Sequence, residues 1–159
     1  MLSAYYKLCG YVELAFKLVG VALFTIMISV VFYEVVMRYI FNAPTFWAEP
    51  LARSAMIWMV FLGLAIGIRQ KDNICVDFIA DRFHGGFRVI AALVRLALVI
   101  IFAGILVIYG AQMATLGLKK NTIGLNIPLG YIQAVAPIAG FGMLLFSIEL
   151  LIKRDWDRF

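Results

Sequence analysis

Cysteine and histidine are almost missing from this chain, and acidic residues are few. Of 159 residues, 2 are Cys, 1 is His, 4 are Pro and 9 are Asp or Glu. Cys9 and Cys75 form no CxxC and no metal-ligand spacing, so they read as two reduced thiols. With His84 the sole histidine, a bis-histidine haem, a His-rich zinc site and a Ser-His-Asp hydrolase are untenable. Asp77 and Asp81 could share a cation, although a solvated polar face accounts for them more simply. No catalytic, cofactor or metal site is expected.

What the chain has instead is hydrocarbon. Apolar residues make up 65% and mean hydropathy is +1.00, against about 45–50% apolar in a soluble domain. Four runs approach or exceed the ~20 residues that span a bilayer, at about 18–36, 50–68, 89–118 and 129–152. They are apolar on every face, whereas a barrel would need short alternating segments. A spanning segment must satisfy its own backbone hydrogen bonds, so all four read as helices. The fold expected is an all-α integral membrane protein, a single four-helix domain over residues 1–159.

The net charge of +5 does not point to nucleic acid, because the bases flank apolar spans and form no aromatic-interleaved basic face. Counting Lys and Arg gives orientation. With the N-terminus inside, ten lie on the cytoplasmic side, and only Arg38, Arg53, Lys119 and Lys120 lie outside. Both termini and Cys75 should therefore be cytoplasmic. Met1 to Lys17 shows no small-residue cleavage site, so the first span is expected to act as an uncleaved signal anchor.

Two connecting pieces read as interfacial helices. Asp77, Asp81, His84 and Arg88 draw one polar stripe over about 73–84, with Ile74, Val76, Phe78, Ile79 and Phe83 around the rest. That pattern suits the lipid headgroup region. Tyr5 to Lys17 has a similar mixture.

All four glutamates have a base four residues downstream: Glu13–Lys17, Glu34–Arg38, Glu49–Arg53 and Glu149–Lys153. Chance placement of 9 acids and 14 bases would give about one such pair, and this order is the favourable one on a helix. The pairs can simply anchor helix ends at the interface. Alternatively, Glu34, Arg38, Glu49 and Arg53 converge at one membrane face and dock another protein. Glu34 lies inside the apolar run and should point at another helix, with Gln112 and Gln133 as neutral candidates to meet buried polar groups.

Further positions stand out. Pro137 removes the helical hydrogen bond to the carbonyl of Gln133, which predicts a kink. Gly63-Leu64-Ala65-Ile66-Gly67 is a GxxxG pattern that permits close helix approach, within the chain or to a partner. Trp47 falls where an interfacial aromatic belongs. No internal repeat or pair of broken helices suggests a complete transporter.

One stretch carries a resemblance. Arg38-Tyr39-Ile40-Phe41-Asn42, Trp47-Ala48-Glu49, Trp58 with Phe61-Leu62-Gly63, Ile68-Arg69 and Asn73-Ile74-Cys75-Val76-Asp77 follow in order. This resembles the small membrane subunit of tripartite ATP-independent periplasmic (TRAP) transporters, with RYxF-like, W-x-E-E, G-x-x-x-A/G-x-R and h-I-x-V-D motifs. Gly130-Tyr131 and Ala136-Pro137 are also similar to the family's fourth span. Pro50 departs from the pattern, standing where the family commonly has a second glutamate, so only Glu49 carries over.

The resemblance implies a bacterial inner-membrane subunit without cofactors. A large membrane subunit would hold substrate and sodium sites, and a periplasmic binding protein would deliver an organic acid such as a dicarboxylate or sialic acid. This chain would brace the large subunit among membrane lipids, with no nucleic-acid partner. The alternative reading is a homo-oligomeric four-helix proton-coupled antiporter using Glu34, although such carriers are usually shorter and place their glutamate deeper.

Overall fold

The computed structural model describes the backbone of residues 2–70 and 86–153, and the side chains of residues 5–70 and 93–152. The interfacial helix expected at 73–84, with Asp77, Asp81, His84 and Cys75, lies outside the described residues. Among the described residues there are five helices: α1 Leu2–Tyr39, α2 Ala48–Gln70, α3 Gly86–Gly117, α4 Leu129–Gln133 and α5 Val135–Lys153. Four stretches are long and apolar enough to cross a bilayer, the last being α4 and α5 taken together as Leu129–Ile152.

The first helix departs from expectation. Tyr5 to Lys17 does not form a separate surface helix but continues into the first span, giving 38 residues and a rod about 57 Å long. No proline interrupts residues 2–39, and a lone glycine in a helix costs only about 1 kcal/mol. The hydroxyls of Thr25 and Ser29 donate to the carbonyls of Val21 and Thr25, at 3.0 and 2.8 Å, so they remain satisfied in hydrocarbon. The helix stops where Asn42 takes a positive φ of 49° and the Ala43 N–H turns back to the Met37 carbonyl at 3.0 Å. Pro50 sits in the first turn of α2, where its missing N–H costs little.

The connection from α3 to α4 is a tight loop. Thr122 N–H donates to Ile127 O at 2.9 Å and Leu129 N–H to Lys120 O at 2.8 Å. Gly124 at φ 95° and Asn126 at φ 51° make the reversal possible. The fourth span breaks at Ala134, between α4 and α5. Pro137 has no N–H for the Gln133 carbonyl, and the next bond, Ile138 N–H to Ala134 O, is stretched to 3.4 Å.

The spans form an open row rather than a closed bundle. In order, α1 packs on α2, α2 on α5, and α5 on α3, with α4 against α3. Contact between α1 and α5 is slight, and α1 makes no substantial contact with α3. The core is correspondingly small: Cys9, Ala65, Ala103, Met143 and Phe146, flanked by Tyr5, Val12, Phe16, Ile68, Leu106 and Leu144. Phe16 meets Phe146 edge-on at 6.3 Å. Long apolar side chains such as Phe32, Ile101 and Phe141 are exposed. Hydrocarbon or another membrane chain, rather than water, is the surrounding that suits them.

Candidate functional site

Charge in the described residues gathers at two places, and they are built differently. The first is where the end of α2 meets α1 and α5. Arg69, in the last turn of α2, donates from Nε to Glu149 Oε2 at 2.9 Å and from Nη2 to Glu149 Oε1 at 3.4 Å. Its Nη1 bonds Glu13 Oε2 on α1. Glu13 Oε1 also accepts from Gln70 Nε2 at 2.9 Å and pairs with Lys17 Nζ at 2.6 Å. The Arg69 guanidinium lies 5.6 Å over the Phe146 ring. Nearby, Tyr5 Oη donates to the Leu145 carbonyl at 2.7 Å.

Among the described side chains, this cluster is enclosed and neutral. The Glu149 side chain is 2% exposed and those of Glu13 and Arg69 17% each, whereas Lys17, at the rim, is 44% exposed. Two carboxylates balance two cations. Removing one partner from such a group would leave an uncompensated buried charge. It joins three helices and contains no group of residues that could hold a metal among the described residues. Its chemistry is that of a clamp.

Spacing alone left part of this site unread. Glu13–Lys17 forms, but Glu13 is shared with Arg69. Glu149 binds Arg69 on another span; the Lys153 side chain lies outside the described residues. A signal was available in the sequence. The residue one turn before Arg69 is Ala65, so Arg69 lacks the acid that precedes Lys17, Arg38, Arg53 and Lys153 at this spacing.

The second place is the turn between α1 and α2. Glu49 and Arg53 pair at 2.6 Å with both side chains about 70% exposed. Glu34 and Arg38 do not: among the described residues no ion pair joins them, which corrects the spacing argument. Glu34 is half-buried in register with Phe16, Gly20, Leu23, Met27, Val30 and Met37, the seam toward α2, while Arg38 is exposed. Helical spacing made the two neighbours; burial separated them. Gln112 is exposed and is therefore not a buried partner.

Trp47 stacks on Tyr33 with ring centroids 5.8 Å apart, fastening the turn to α1. Phe46, Glu49, Pro50 and Arg53 then line a cavity of about 580 Å³ with Asn121 and Gly124 of the other loop and Leu129 of α4. The loops touch: a Cβ on Gly124 would lie 2.7 Å from the Phe46 carbonyl. Gly63 and Gly67 face away from the chain's own packing, since a Cβ on either meets nothing within 4 Å. With Gly20, Gly63 lines an apolar groove of about 420 Å³ between α1 and α2. Gln133 is half-buried near Gly117 and Gly130, its Oε1 without a hydrogen-bond partner. Pro137 rests against Gly110. Asp77 lies outside the described residues.

Comparison with known proteins accords with these features. Residues 27–156 match the DctQ component of tripartite ATP-independent periplasmic transporters. The sialic acid TRAP transporter small permease protein SiaQ of Vibrio cholerae is 24% identical over 86% of this chain and 79% of its own. A putative TRAP transporter small permease protein of Haemophilus influenzae is 27% identical over 98% of this chain and 96% of its own. A stretch covering 39% of this chain also matches, at 24% identity, 10% of the sialic acid TRAP transporter permease protein SiaT of Haemophilus influenzae. The chain belongs to the DctQ family of TRAP transporter small subunits, multi-pass proteins of the bacterial inner membrane.

Proposed function

We propose that this chain is the non-catalytic brace of a sodium-driven importer of organic acids, dicarboxylates or sialic acid. It works beside a large membrane subunit that carries the substrate and sodium sites, and a periplasmic binding protein that delivers the solute. The observation that carries the reading is the open row of spans. Among the described residues the row leaves broad apolar surface for a neighbouring membrane chain, and its most enclosed charges are tied into a clamp joining three helices. The relative SiaT supports the choice of neighbour, because a segment similar to this chain makes up only 10% of that permease.

Under this reading Glu34, Arg38, Trp47, Glu49, Arg53 and the Gly63–Gly67 face serve contact with partners, while Gln133 and Pro137 shape the fourth span. The test is gentle-detergent purification of the tagged chain from its native membranes, with mass spectrometry of what accompanies it. A stoichiometric, much larger polytopic chain is expected, and uptake by the reconstituted pair should require sodium and a binding protein. A stable homo-oligomer with proton-coupled efflux abolished by Glu34→Gln would overturn the brace.

A further inference from the structure

The enclosed cluster has a division of charge between its helices. Among the described side chains of the cluster, the α1–α2 side contributes Glu13, Lys17 and Arg69, a net of one positive charge, and α5 contributes the negative charge of Glu149. Glu149 is 1% exposed as a residue and flanked by the fully buried Phe146 and Ser147. The Ser147 hydroxyl is already committed to the Met143 carbonyl at 2.7 Å. An ionised carboxylate in such surroundings is unfavourable without a cation in bonding range. Arg69 supplies it with a two-point contact, and Glu13 holds the remaining guanidinium nitrogen from the opposite side.

We infer that this cluster is an assembly lock, in which Glu13 of α1 positions Arg69 of α2 to receive Glu149, so that α5 docks only on a completed α1–α2 hairpin. Glu13 is a positioning residue here, acting on α5 through Arg69. The lock matters because the row is open. Contact between α1 and α5 is slight, so few other interactions reject a fourth span docked on an incomplete hairpin. The arrangement also accounts for the continuation of α1 inward of the apolar run at about 18–36: Tyr5, Cys9, Glu13 and Phe16 all engage α5 or the cluster.

A built-in reporter lies one helical turn from Glu13. Cys9 is fully buried in the core with Met143 and Phe146, so its alkylation by N-ethylmaleimide reads opening of the α1–α5 contact. The experiment uses the full-length chain carrying Cys75→Ser, reconstituted in vesicles. Glu13→Gln and Glu149→Gln should each speed labelling, and Glu13→Asp should restore protection. The deciding measurement is the double variant. Because Glu13 acts on α5 through Arg69, its loss should add little once Glu149 is gone, so labelling of the double variant should fall well short of the product of the two single effects. A double variant whose effect equals that product, or Glu13→Gln labelling at the parent rate, would overturn the lock.

Discussion

Glycine does opposite things in the two halves of this molecule. In the α1–α2 hairpin, Gly20, Gly63 and Gly67 could each carry a methyl group without meeting another atom within 4 Å. In the half built from α3, α4 and α5, Gly104 shares that freedom, but Gly110, Gly117, Gly130, Gly140 and Gly142 do not. A Cβ on Gly110 would lie 2.9 Å from Pro137 Cδ, and one on Gly140 would lie 3.1 Å from the Ala103 carbonyl. Gly117 and Gly130 face each other so closely that a Cβ on Gly117 would lie 2.8 Å from the Gly130 nitrogen. The second half uses glycine to bring backbones together, as membrane helices do where hydrophobicity supplies no drive. The first half keeps its glycines outward. The recognisable GxxxG is thus the pair that packs nothing within the chain, while the packing glycines are spread over three helices.

The largest expected effect lies in the close-packed half. Gly130→Val would drive two methyl groups toward the Leu118 nitrogen, only 2.7 Å from the position of a first side-chain carbon. Backbone cannot yield as a flexible side chain can, so the cost should reach or exceed the roughly 3 kcal/mol upper range for overpacked cores. Loss of monodisperse protein in size-exclusion chromatography is expected. A variant that elutes and melts like the parent would show that α3 and α4 are not held this closely.

Gly63→Ala with Gly67→Ala tests the other half. Nothing among the described residues obstructs either methyl, and each substitution removes a helix-interior glycine, so stability should hold or rise by up to about 1 kcal/mol per site. Thermal unfolding of the purified chain checks this. A marked fall in melting temperature would mean that the groove closes within the chain, erasing the contrast between the halves.

The spans and all-helical class were legible because hydrocarbon imposes them: runs near 20 residues with charge at their junctions leave few other solutions. The break near Pro137 was legible for a similar reason, since a missing N–H has a fixed consequence. What sequence spacing could not supply was which faces meet. The i,i+4 rule holds on an isolated helix, and it described Glu49–Arg53, where the side chains stay exposed. It failed where tertiary contact intervened. Half-buried Glu34 makes no ion pair with exposed Arg38, and spacing gave no sign that Arg69 would bind Glu149 across 80 residues. The open row itself has no signature in hydropathy, because a helix facing lipid and one facing a partner are equally apolar.

The contrast between enclosed and open extends to the ion pairs, and here the smallest effect is expected. Glu49–Arg53 has good geometry, 2.6 Å between charged atoms, yet both side chains are about 70% exposed. Exposed pairs on one helix contribute about 0.3–0.5 kcal/mol, because solvent screens them and two long side chains lose freedom. Pro50, beside Glu49, carries no charge, so it adds nothing to amplify the pair. Removing both charges, Glu49→Gln with Arg53→Gln, should leave the melting temperature of the purified chain nearly unchanged, and a double-mutant cycle should give a coupling within that range. A coupling several times larger would mean that the turn is enclosed as the Arg69 cluster is. Short distance alone does not make an ion pair strong; enclosure decides how much its loss matters, and on that criterion the two charge sites of this protein stand at opposite ends.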